Sequence, residues 1–170
     1  ETLNLSGTMG GSDTVTVANV SSELTRVNLS SAADTALTIN WAASGTVGIN
    51  TAAALTAGVT VTVDSGTGTS DALTVTNMLT SGQMASATSN LTTTDFETVT
   101  INTGSYTTAA AQLINAVNIG ANTLNIEGSN GLTTTATNGI ITATTIDASA
   151  MTGALVMNVA AASVTTITGG

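Results

Sequence analysis

The chain has 170 residues, 42% of them hydrophobic, and a net charge of −9 from ten acids set against Arg26 alone. It contains no Cys, His, Lys or Pro, which excludes a disulfide scaffold, a Cys/His zinc centre, a His- or Lys-activated nucleophile and a Lys-tipped phosphate loop. A single cation cannot neutralise a phosphate backbone, so nucleic acid is excluded as a partner. No apolar run approaches the roughly 18 residues needed to span a bilayer.

The first strand expected in chain order covers residues 3–5, and others follow at 14–17, 26–29, 36–40, 46–49, 59–63 and 73–76. Each is a short period-two phrase, such as Thr14-Val15-Thr16-Val17 or Thr60-Val61-Thr62-Val63, and period two is the mark of a half-buried strand. Residues 51–58 and 108–115 are Ala-rich and read as short helices, the first with a Thr N-cap and a Gly stop. Residues 78–94 are polar and read as a long loop or a small helical excursion. Strands resume at 98–101, 116–119, 123–126, 141–146, 155–159 and 164–167. Turn signals separate the strands, among them Gly10-Gly11, Ser65-Gly66-Thr67-Gly68, Gly128-Ser129-Asn130-Gly131 and Asn138-Gly139.

Only Trp41, Phe96 and Tyr106 are aromatic, so the core must come from 14 Val, 10 Ile, 13 Leu and 26 Ala. Small and β-branched side chains suit thin stacked layers better than a thick core. A phrase also recurs: Thr2-Leu3-Asn4-Leu5, Arg26-Val27-Asn28-Leu29, Thr98-Val99-Thr100-Ile101 and Thr123-Leu124-Asn125-Ile126. Its spacing is not constant, which argues against a fixed-period ladder and for an irregular one. The expected fold is all-β, an irregular parallel β-solenoid, with a β-sandwich as the alternative. Residues 1–170 are expected to form one domain or one segment of a longer surface protein. In a solenoid like stacks on like, so Thr and Asn form hydrogen-bonded ladders and low charge avoids stacked repulsion.

Three acids stand out as cation ligands. Asp64 and Asp71 flank the Gly-rich stretch Ser65-Gly66-Thr67-Gly68-Thr69-Ser70, and Asp13 follows Gly10-Gly11-Ser12. Carboxylates on a bendable loop offer the hard oxygens that calcium takes. The plainer reading is that they are ordinary turn residues, as Asp34 and Asp147 are read. Asp95 and Glu97, two apart before a strand, would share a face if the backbone were extended. That pairing is the basis for a polysaccharide-cleaving alternative, with a solvated strand end as its plain counterpart. Trp41 fits a core end better than a sugar-stacking platform. Arg26 is expected to pair with a nearby acid such as Glu23.

Several phrases resemble bacterial S-layer and RTX-type, type I-secreted surface proteins. They are Thr144-Thr145-Ile146-Asp147-Ala148-Ser149-Ala150-Met151-Thr152-Gly153-Ala154-Leu155, the closing Thr166-Ile167-Thr168-Gly169-Gly170, Phe96-Glu97-Thr98-Val99-Thr100-Ile101 and the opening Glu1-Thr2-Leu3-Asn4-Leu5. The resemblance implies a secreted, calcium-dependent lattice or adhesion protein built largely of β-solenoid. The glycine-rich calcium repeat of such proteins is incomplete here, because Gly10-Gly11-Ser12-Asp13-Thr14-Val15 lacks its third glycine. The expectation is therefore a non-enzymatic extracellular protein at the bacterial cell surface. It would self-assemble into a layer or filament, with calcium as a cofactor. The alternative is an adhesin segment that binds cell-surface polysaccharide through Trp41 or Tyr106.

Overall fold

The structure is a computed structural model. It describes residues 1–6, 15–18, 24–29, 37–40, 46–51, 60–64, 69–79, 90–104, 112–114, 116–119, 121–134, 141–159 and 164–170. Every regular element among them is a β-strand, and every strand pairing is parallel. The protein is a β-solenoid. Eight strands form the main sheet, in the order β1 (Thr2–Leu5), β3 (Arg26–Leu29), β5 (Thr46–Thr51), β7 (Ala72–Asn77), β9 (Thr98–Asn102), β12 (Thr123–Glu127), β14 (Thr145–Ala148) and β16 (Thr166–Gly169). A second sheet of five strands stacks β2 (Val15–Ala18), β4 (Leu37–Asn40), β6 (Thr60–Asp64), β8 (Asn90–Thr94) and β11 (Ala116–Ile119). After β9 a third face appears, built from β10 (Gln112–Ile114), β13 (Leu132–Thr134) and β15 (Leu155–Val156).

Partners along the main sheet run Thr2, Arg26, Gly48, Thr74, Thr100, Asn125, Asp147 and Thr168, one rung every 21 to 26 residues. The uneven sequence interval has a physical origin. Leu3 and Leu5 align with Val27 and Leu29, whereas Leu124 and Ile126 align with Val99 and Ile101, positions that begin two residues earlier on the rung. A two-residue slide keeps the same side chains inward, so similar phrases occupy different positions of the ladder.

Alternation sets the core. In β7, β9 and β12 every second residue is buried, and Leu73, Val99, Leu124, Ile101 and Ile126 are wholly enclosed. The outer positions carry the polar ladder. Asn28 Nδ2 donates to Asn4 Oδ1 and Asn50 Nδ2 to Asn28 Oδ1, both at 2.8 Å. Stacked amides can each donate and accept along the axis, which a stacked charge could not do.

Several expected elements differ, among them the strand expected at 155–159, which covers Leu155–Val156. Residues 112–114, read as part of a helix, are strand β10, paired with β13. Residues 90–94, read as loop, are strand β8, held between β6 and β11. Ala and polar-residue propensities are weak beside a ready strand edge. The expected strand at 141–146 begins as a single bridge from Ile141 to Ile119, and the strand itself covers Thr145–Ala148. Of the expected helix at 51–58, Thr51, read as its N-cap, is the last residue of strand β5, and 52–58 lie outside the described residues.

Candidate functional site

The corner that leads into the main sheet holds Asp71, Asp95 and Glu97. The Asp71 carbonyl accepts from Glu97 N (3.0 Å) and Thr98 N (3.1 Å), and the Glu97 carbonyl from Asn122 N and Thr123 N (both 3.0 Å). The Asn122 carbonyl takes Thr144 N and Thr145 N at 3.0 and 3.1 Å, and the Thr144 hydroxyl donates to it as well at 2.9 Å. From Asp71 onward one carbonyl per rung (Asp71, Glu97, Asn122, Thr144) therefore accepts from two successive amides of the next rung. This closes the turn without Pro and fixes where each strand begins.

Asp71 sits inside this corner, 1% exposed, and its amide donates to Glu97 Oε2 at 2.6 Å. Glu97 thus serves as an acceptor that ties two rungs together. Asp95 is exposed and has a left-handed φ of 59°, with the buried Phe96 between it and Glu97. The backbone turns at Asp95, so the extended geometry that would put Asp95 and Glu97 on one face is not present. Asp64 ends β6, in register with Asn40 and Thr94 on the second sheet, whereas Asp71 opens a strand of the main sheet. Residues 65–68 between them, and Asp13, lie outside the described residues. Among the described residues no three acids come together as a metal-binding group. Trp41, Tyr106, Glu23 and Asp34 also lie outside the described residues. Arg26 is exposed and its stem lies beside Gly48, where an added Cβ would stand 3.8 Å from Arg26 Nε.

A further surface feature draws on residues far apart in the sequence. A shallow concavity of about 210 Å³ on the outer face is lined by Thr100, Asn125, Glu127, Asp147, Ser149 and neighbouring backbone. Asn125 Nδ2 reaches Thr100 Oγ1 at 3.5 Å, and Glu127 Oε1 accepts from Asn102 Nδ2 at 2.7 Å. The Asp147 carboxylate accepts from Ser149 N at 2.9 Å. Bonds from the Ser149 hydroxyl and amide hold its pKa below the usual 3.8. Asp147, read from sequence as a turn or cap residue, lies in strand β14; its carboxylate caps the turn that follows at Ser149, and it forms one wall of this groove. The lining offers carboxylate, amide and hydroxyl oxygens, suited to hydrated cations or to the hydroxyls of a polyol. Register places these residues together: Thr100, Asn125 and Asp147 are successive partners on the ladder. The signal in sequence is therefore the rung interval, which uneven phrase spacing hides.

Comparison with protein-family models, with curated proteins and with solved structures gives no match for this chain.

Proposed function

We propose that this chain is an extracellular structural protein that self-assembles into a surface layer or filament. One observation carries the reading: among the described residues the main sheet stacks eight parallel strands in register, with ladders of mostly amide and hydroxyl side chains on its outer face. A stack of this kind propagates by repetition. The resemblance to secreted surface-layer proteins supports an address at the bacterial cell surface. It also supports calcium as a bridge between carboxylates of neighbouring copies. Ten acids with one cation would repel between copies, and a divalent cation offsets that repulsion.

The test is sedimentation and negative-stain electron microscopy with about 1 mM calcium, a concentration that weak extracellular sites require, and again with chelator. Ordered particles that dissolve in chelator support assembly and calcium together. Particles indifferent to chelator keep assembly and remove calcium. A monomer in both conditions overturns the reading. A second reading, binding of cell-surface polysaccharide, rests on the oxygen-lined groove at Asn125, Glu127 and Asp147. Glycan-array binding that is lost in Asn125→Ala would favour it.

A further inference from the structure

We propose that two copies of this chain pack face to face through the outer side of the main sheet, so that Arg26 of each enters the Glu127–Asp147 groove of the other. The proposal rests on the self-assembly reading and names one contact of it. Arg26 is the chain's only cation, and it is exposed on this face. Register runs one outward column from Arg26 through Gly48, Thr74, Thr100 and Asn125 to Asp147. The neighbouring column holds Asn28, Asn50, Thr76, Asn102 and Glu127. The face is therefore positive at β3, uncharged across β5, β7 and β9, and negative at β12 and β14. Its negative end is also concave, the hollow of about 210 Å³ that Glu127 and Asp147 help to line. Glu127 gives one carboxylate oxygen to Asn102 Nδ2 at 2.7 Å, which leaves the second for another donor.

A face that carries its charges in this order fits a copy of itself turned end for end. A two-fold axis lying along the strands, midway between β7 and β9, reverses the order of the rungs and keeps position along the strand. It sets Arg26 opposite the partner's Asp147, and Asp147 opposite the partner's Arg26. The same operation sets Thr74 opposite Thr100, Asn50 opposite Glu127 and Gly48 opposite Asn125. Asn50 thereby brings an amide donor to a carboxylate. Gly48, with no side chain, leaves room for the facing Asn125 and for the Arg26 stem, whose Nε lies 3.8 Å from where a Cβ would stand. A guanidinium is a planar fork of five donors, and two carboxylates with an amide oxygen suit it. The contact spans the six rungs from β3 to β14, about 24 Å at roughly 4.8 Å per rung. That is small for a permanent interface, so the association is reversible and the charges fix its register. No strand edge takes part.

The test exchanges the charges and reads dimerisation by sedimentation equilibrium at matched concentrations. Arg26→Asp alone and Asp147→Arg alone each set like charges together at both joints, and each is expected to weaken the dimer at least about tenfold. Asp147→Arg also makes the chain less negative, so tighter association there would mark simple relief of repulsion and overturn the proposal. Mixed in equal amounts, the two variants are expected to regain the parent's dimer, because each joint of the mixed pair again holds one positive and one negative group. The double variant is expected to do the same at the parent's net charge of −9. Asp147 also accepts from Ser149 N, so Asp147→Asn, which keeps an oxygen there, replaces Asp147→Arg if that variant does not fold. It is expected to weaken the dimer severalfold. Folded variants that dimerise as the parent does, or a mixture of folded variants that stays monomeric, would overturn this contact, and particles that persist in negative stain would leave self-assembly standing. A parent chain that is monomeric by both methods would overturn both.

Discussion

Two buried threonines should respond to the same substitution with opposite signs. Thr93 stands in register between Val63 of β6 and Ile119 of β11. It is 4% exposed and its hydroxyl has no hydrogen-bond partner among the described residues. Thr103 is fully buried, but its hydroxyl donates to the Asn130 carbonyl at 2.7 Å and lies 3.0 Å from the Glu127 carbonyl. Valine has nearly the shape of threonine without the hydroxyl. At Thr93 the exchange removes an unpaired buried group whose desolvation costs about 1–3 kcal/mol, so Thr93→Val should stabilise by roughly 1–2 kcal/mol. At Thr103 it removes a satisfied donor and takes that donor from the Asn130 carbonyl, while the Glu127 carbonyl keeps the Thr103 amide at 2.9 Å, so Thr103→Val should destabilise by about 1–3 kcal/mol. Urea unfolding reads both: with a slope near 2–3 kcal/mol per molar, the Thr93 midpoint should rise by about 0.3–1 M. Hydrogen exchange localises the gain to β6, β8 and β11, because solenoid stability is nearly a sum over neighbouring rungs. A fall in midpoint for Thr93→Val would show that the hydroxyl is satisfied in solution and would refute the reasoning.

Leu124→Ala, at a wholly enclosed position, should cost about 2–5 kcal/mol in the same unfolding experiment. Gly128 has φ 108°, and an added Cβ would stand 2.5 Å from Thr103 Oγ1 and 2.8 Å from the Gly104 carbonyl oxygen. Gly128→Ala should therefore lose roughly 3 kcal/mol, seen as a lowered thermal midpoint, from backbone strain and displacement of Thr103. Asn28→Ala breaks two stacked amide bonds and should cost about 1–2 kcal/mol, with faster amide exchange in β1, β3 and β5. Asp147 has a lowered folded pKa, so its contribution is full above the unfolded value and is lost as pH falls through the folded one. Carboxyl-resolved NMR titration should place its midpoint below 3.8, and Ser149→Ala should move that midpoint upward.

The solenoid was legible because burial on one face leaves a period-two imprint that survives local variation: β7, with Leu73 and Val75 inward, reads as a strand unaided. β8 was not, because Leu91 is its only aliphatic residue. Its pairing depends on Val61 and Val117 standing in register on either side, information that lies about 30 residues away. β10 follows an Ala run whose local preference is helical, and the edge of β13 overrides it. The outer groove stayed hidden for a related reason. Thr100, Asn125 and Asp147 become neighbours only once the rung interval is known, and that interval varies with the length of each corner. Asp95 and Glu97 read from sequence as a pair of acids two apart before a strand. The left-handed backbone at Asp95 makes Glu97 a corner tie instead; Asp tolerates that φ better than most residues, but many Asp residues never adopt it, so the bend is not announced.

The direction of the backbone hydrogen bonds has a mechanical meaning. They run along the stack, from each rung to the next, so a pull on one end of the chain loads only the outermost rung. The protein would yield by unspooling rung after rung. Each event would free 21 to 26 residues, roughly 70–90 Å of extended chain. A material made of such units would dissipate load in many small reversible steps and recover as the rungs rewind.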